Sequence, residues 1–236
     1  VVVMRRFNTP WQSCARGLRG GGRAGPDPPP PHPHTKPMSV SGPFARTTGC
    51  VPMATLEQTS PDRLHDDFLG FLRDGSFPCV GAKSAAATGG IEIVPARRID
   101  SAWNDLKIHD ALLEWAWRYR DDDDDGFRSL VVIFEGPCDL SEAEFEDAMW
   151  ARIQSLADKD AWRGQSYDPR VSADAADPKF SLSFGGQAFF VVGLHPNASR
   201  PARRFPKPSL VFNLHKQFEW LRDSGVYERM RQRILD

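Results

Sequence analysis

The sequence predicts one α+β domain over residues 53–236, with helices packed on a mixed or antiparallel sheet. Three observations lead there. Leu130-Val131-Val132-Ile133-Phe134 is a continuous, β-branched run of the kind found in a strand covered on both faces. A Gly185-Gly186 pair separates two β-rich runs, Phe180–Phe184 and Gln187–Leu194, which is a hairpin pattern. Around these strands apolar residues recur at helical spacing without strict strand–helix alternation, so a doubly wound sheet fits less well.

Taken in order, Ser60 and Pro61 followed by Leu64, Phe68, Phe71 and Leu72 predict a helix over 61–74, with an N-cap, a first-turn proline and Gly75 as its stop. Phe77 to Lys83 reads as a loop or short strand, and Ile91-Glu92-Ile93-Val94 as a strand that Pro95 ends. A second helix is expected over about 102–119, burying Leu106, His109, Leu113, Ala116 and Trp117. It runs into Asp121 to Asp125, where adjacent carboxylates diverge and lack the alternating spacing of a calcium loop, so the run reads as a solvated turn. Ser141 and Glu144 form a capping box that opens a helix to about Asp158, with Phe145, Met149 and Ile153 facing inward. Leu210-Val211-Phe212 is the last strand, and Asn213 is placed to cap a final helix carrying Leu214, Phe218 and Leu221 on its inner face.

Residues 1–52 read differently. They hold ten of the twenty prolines and a Gly20-Gly21-Gly22 run, so they sustain neither a helix nor a central strand and are expected to be disordered. Seven basic residues against one acid give this leader +6, leaving −7 for the rest of a chain whose net charge is −1. The expectation is that the start of translation lies at Met53 and that the leader does not belong to the fold. His32 and His34 within it lack further ligands nearby and read as a solvated pair. No run approaches the roughly 18 apolar residues of a spanning helix. Cys14, Cys50, Cys79 and Cys138 form no C-x-x-C pair, which points to a reducing, cytoplasmic setting.

The commonest nucleotide, zinc-protease and hydrolase motifs are absent. The candidate residues are isolated ones. His195, in Gly193-Leu194-His195-Pro196, stands at the end of an apolar strand with its backbone held extended by Pro196, a setting that suits a metal or haem ligand as well as a histidine bonded to a backbone carbonyl. His215 opens the last helix and His109 lies on an apolar face, where a satisfied core residue is the plainer reading. Arg200 to Pro208 carries Arg203 and Arg204 in a proline-stiffened loop able to clamp a carboxylate or phosphate. Nucleic-acid binding is disfavoured by the −7 charge of the folded part. Cys79 has no base beside it in sequence and reads as a buried thiol, and the tryptophans read as packing residues as readily as a cofactor wall.

Phe77-Pro78-Cys79-Val80-Gly81-Ala82-Lys83, the block from Val192-Gly193-Leu194-His195-Pro196 to Arg203-Arg204-Phe205-Pro206, and Leu210-Val211-Phe212-Asn213-Leu214-His215 to Glu219 together resemble the YqcI/YcgG family, described by its FPC and CPF motifs. The resemblance implies haem b and an N-hydroxylating monooxygenase acting on a small guanidino or amino compound such as an arginine-like amino acid. The electron donor stays open, and neither a nucleic acid nor a membrane is implied. It makes His195 the expected axial ligand of the iron, with His215 as the alternative, assigns Arg203 and Arg204 to haem propionates or a substrate carboxylate, and marks Phe77, Pro78 and Cys79 as the family motif. Resembling chains continue into a tail carrying the CPF motif, whereas this sequence ends at Ile234-Leu235-Asp236, so a shortened domain is expected. A non-catalytic haem or small-ligand binding protein of the same fold is the alternative.

Overall fold

The computed structural model describes residues 60–121 and 126–223, with side chains to Glu219. The leader, Asp122 to Asp125 of the acidic run, the C-terminal end and the side chain of Leu221 lie outside the described residues. The apolar run Leu130–Phe134 forms the middle of β2 (Ser129–Gly136), whose first six residues are all buried. β1 (Ile91–Arg98) lies parallel to it on one side and β5 (Ser209–Leu214) antiparallel on the other. β4 (Gln187–Leu194) and then the short β3 (Leu182–Phe184) continue antiparallel, giving the order β1-β2-β5-β4-β3. The sheet is mixed and the domain is α+β, as its sequence predicts.

Alternation along the strands decides which helix goes where. Leu130, Val132 and Phe134 point to one face with Phe212 and Val191, and are covered by α3 (Asp105–Arg118) and α4 (Glu142–Trp162). Val131 and Ile133 point to the other, against α1 (Pro61–Arg73) and α2 (Val80–Ala87). α5 (His215–Asp223) follows β5 directly.

Several elements differ from the sequence reading for identifiable reasons. Pro95 does not end β1, because β1 is an edge strand and a residue without an N–H is tolerated there. Residues 80–83 are helical: α2 is rich in alanine, and its small buried face admits the Phe127 ring 3.0 Å from where a Gly81 Cβ would stand. α1 stops at Asp74, whose carboxylate accepts from the Ser76 N–H at 2.8 Å and its hydroxyl at 2.5 Å, so Gly75 is not needed as a left-handed cap. The inner stripe of α3 is Ile108, His109, Leu112, Leu113, Trp115 and Ala116, while Leu106 and Trp117, 55% and 51% exposed, face solvent. Asn213 is not a cap but a residue of β5. The capping box at Ser141 and Glu144 forms, and α4 runs on to Trp162.

Buried carboxylates tie these layers together. Asp160 accepts from His109 Nε2 at 2.8 Å and from the Gly185 N–H at 3.0 Å, so His109 is a core residue that helps hold the hairpin turn. Gly185 and Gly186 both have positive φ, 57° and 77°, as a tight two-residue hairpin requires. Asp105 receives Arg152, Ser155 and Lys159 from α4, and the Arg152 Nε also donates to the Ile99 carbonyl at 3.2 Å.

Gly193 lets α4 approach the sheet closely. A Cβ there would lie 2.7 Å from Phe145 Cε1 and 2.8 Å from Met149 Sδ, both on α4. Gly193→Ala is expected to cost about 1–3 kcal/mol through forced repacking, read as a lowered midpoint in urea unfolding. An unchanged midpoint would contradict this packing.

Candidate functional site

The two sheet faces are covered unequally. α1 and α2 shield the β1–β2 side of the second face, and the β5–β4 side is left as the floor of a cavity of about 490 Å³. Phe190, Val192, Val211 and Asn213 form that floor. Phe68, Leu72, Phe77 and Cys79 wall it on one side, Ala202 and Arg203 at one end, and Phe218 of α5 at the other. β3 pairs only with Gln187 to Phe189, and beyond that point the cavity wraps the edge of β4 to reach Trp150, Phe180 and Leu182. A largely apolar concavity of this size with few polar groups is the usual form of a small-molecule site.

The polar groups in it are distinctive. Arg203 is the one charged side chain among the lining residues and, among the described residues, its guanidinium has no carboxylate partner. Burial and the neighbouring Arg200 push its pKa below the ordinary value, opposed in part by Glu142, yet a guanidinium stays cationic. Arg204, in contrast, is spent on its own loop, donating to the carbonyls of Ala198 at 2.7 Å and Ser199 at 3.1 Å. Ser129 and Asn213 make a second polar point, with the hydroxyl donating to Asn213 Oδ1 at 2.6 Å. Sequence reasoning missed this pair because a strand asparagine looks like a helix cap when a helix follows at once.

The histidines are separated. His195 is 3% exposed and stacks on Phe145 of α4 at 4.4 Å, which puts its ring with the helices of the first face and outside the cavity lining. Among the described residues its buried Nδ1 has no hydrogen-bond partner, and its backbone N–H donates to the Arg203 carbonyl at 3.0 Å, closing the basic loop. His215 lies on the cavity side: its ring rests 4.4 Å from that of Phe190, and its Nδ1 faces Glu219 at 3.2 Å. Cys79 is exposed, not buried, and Pro78 beside it is exposed as well. Trp150 lines the cavity and Trp115 is core, while Trp103 and Trp162 are exposed.

The last helix is anchored by two neighbouring contacts, since the Arg128 guanidinium lies over the Tyr119 ring at 4.6 Å. Gln217 pairs its amide with the Arg128 backbone, accepting at 3.0 Å and donating at 3.1 Å, and Lys216 donates to the carbonyls of Tyr119 and Arg120 at the end of α3.

A family model described as the YqcI/YcgG family matches residues 68–236, more than half of the chain. The chain belongs to the YqcI/YcgG family. No curated protein and no solved structure matches it. The blocks that resemble the YqcI/YcgG family converge in space: Phe77 and Cys79 on one wall, Leu194 and Arg203 at one end, Val211 and Asn213 on the floor. Among the described residues no helix is long and apolar enough to cross a membrane, and no three His, Cys, Asp or Glu side chains cluster to hold a bare metal ion.

Burial lowers the His195 pKa below its ordinary 6.5, against a smaller opposing pull from Glu142. The unfolded chain therefore takes up a proton as pH falls through 6.5 while the folded one does not, and stability is lost from there down to the folded-state pKa. His195→Phe should remove up to one proton's worth of this slope, about 1.4 kcal/mol per pH unit, in urea unfolding followed between pH 7 and 5. Parallel curves for both proteins would refute it.

Proposed function

We propose that this protein binds haem b in the cavity on the second face and uses it to N-hydroxylate a small guanidino or amino compound. The observation that carries the reading is a half-open apolar cavity whose one charged lining residue, Arg203, lacks a carboxylate partner among the described residues. The lining fits a largely apolar molecule with an acidic edge: phenylalanines and valines would exclude water from its body, and the Arg203 guanidinium would hold a propionate. A single imidazole from the protein would suffice for an iron already held by a porphyrin. His215 suits that role better than His195, because its Nδ1 faces a carboxylate, the arrangement that orients most metal-binding imidazoles, and because it adjoins a lining residue. When bound, haem supplies the iron and dioxygen chemistry of the hydroxylation. The chain's own part is to hold the acidic edge through Arg203, keep the region dry and present the imidazole.

A second reading, a binding protein without catalysis, is favoured by one observation: among the described residues the lining contains no carboxylate, and the adjoining imidazole of His215 is taken up by the iron, so no lining group is left to move a proton. Oxygen consumption dependent on L-arginine or a related amine separates the two.

Haem titration of the purified protein should give a Soret band that His215→Ala shifts or abolishes and His195→Phe leaves in place. Arg203→Met should weaken haem binding by about tenfold or more, the worth of one charge-assisted contact. Absence of any Soret band defeats the haem reading, and a band lost with His195 but kept without His215 reverses the ligand choice.

A further inference from the structure

Glu219 is shared. One of its oxygens faces His215 Nδ1 at 3.2 Å, and the other lies 3.8 Å from Arg170 Nη1. Arg170 is itself fixed, because its Nε and Nη2 reach the two oxygens of Asp168 at 3.0 and 2.6 Å. Asp168 is 1% exposed and also accepts from the Ala188 N–H at 2.9 Å, so it is rooted in the β3–β4 hairpin. An unbroken line of charges runs from the sheet through Asp168, Arg170 and Glu219 to an imidazole beside the cavity.

We propose that Glu219, held in place by Arg170, is a positioning residue that fixes His215 as the Nδ1–H tautomer and leaves the Nε2 lone pair free. A carboxylate is an acceptor only, so it favours the form with the proton on the nitrogen facing it. In neutral imidazole the other nitrogen is then the one able to bind a metal or accept a hydrogen bond. Without the carboxylate nothing among the described contacts of His215 selects that form, since its other neighbour is the face of Phe190. Arg170 contributes by opposing rotation of Glu219 away from the ring. This inference rests on the reading of His215 as the imidazole that serves the cavity, but the tautomer is a property of the protein without any ligand.

The test is ¹⁵N NMR of ring-labelled histidine in the full chain without haem, at a pH where the rings are neutral. His215 is assigned by its absence from His215→Gln. Nδ1–H should dominate in the unaltered protein, and Glu219→Ala should move the tautomer ratio toward Nε2–H by about tenfold. Arg170→Met should move it in the same direction by less. Both altered side chains are partly exposed, and an unchanged amide spectrum elsewhere establishes that each variant folds. A dominant Nε2–H form in the unaltered protein, or a ratio untouched by Glu219→Ala in a folded variant, overturns the proposal. Haem titration of the same samples keeps the two readings apart: a tautomer switch without any Soret band supports the positioning role and defeats the haem reading.

Discussion

A five-stranded sheet with apolar side chains on both faces has to be shielded twice, and this chain supplies unequal cover. Two long helices close the first face, where Phe134, Phe184 and Phe212 are fully buried. The two helices on the second face are shorter and sit toward β1 and β2. Apolar area that no helix covers keeps its hydration cost, roughly 25 cal/mol per Å². The exposed half therefore becomes a surface with a standing preference for an apolar guest. The position of the site and the apolar character of its floor follow from that imbalance.

The rest of the scaffold is organised by buried carboxylates, each doing a different job. Asp105 gathers Arg152, Ser155 and Lys159 and joins α3 to α4. Asp160 receives His109 and the glycine turn. Asp168 takes a strand N–H and Arg170. A buried charge is tolerated only where donors surround it, so these sites specify contacts between elements distant in sequence. Desolvation alone would raise the Asp168 pKa, but the hydrogen bonds from Arg170 and Ala188 outweigh it and hold the carboxyl below its ordinary value.

Local chemistry was readable wherever it was self-contained. The capping box at Ser141, the N-cap at Ser60, the Gly185-Gly186 turn and the buried run of β2 all depend on neighbours within a few residues, and all form as the sequence predicts. Features set by tertiary context were not. Whether Pro95 ends a strand depends on which strand lies at the edge, and whether Leu106 or Ile108 faces inward depends on a rotation that the stripe alone leaves undetermined. The site was legible as a set of residues more than as a place. Arg203 and Arg204 look alike in sequence, and only the loop carbonyls near Arg204 tell them apart. His195 and His215 are likewise separated by a parity: successive strand residues face opposite ways, and the first ring falls on the α4 side.

The strand order carries a consequence for how the chain assembles. β2 is an interior strand, yet one of its two neighbours, β5, the central strand, is drawn from Ser209–Leu214, far along the chain and next to the last described helix. Contacts so distant in sequence close slowly, because the intervening loop must be ordered before they form. During synthesis the most apolar strand waits beside β1 with one edge unpaired until the chain has been made as far as Ser209–Leu214. The cavity floor, shared by β4 and β5, is complete only once this late strand has paired, so a ligand that fills it favours the closed sheet by mass action.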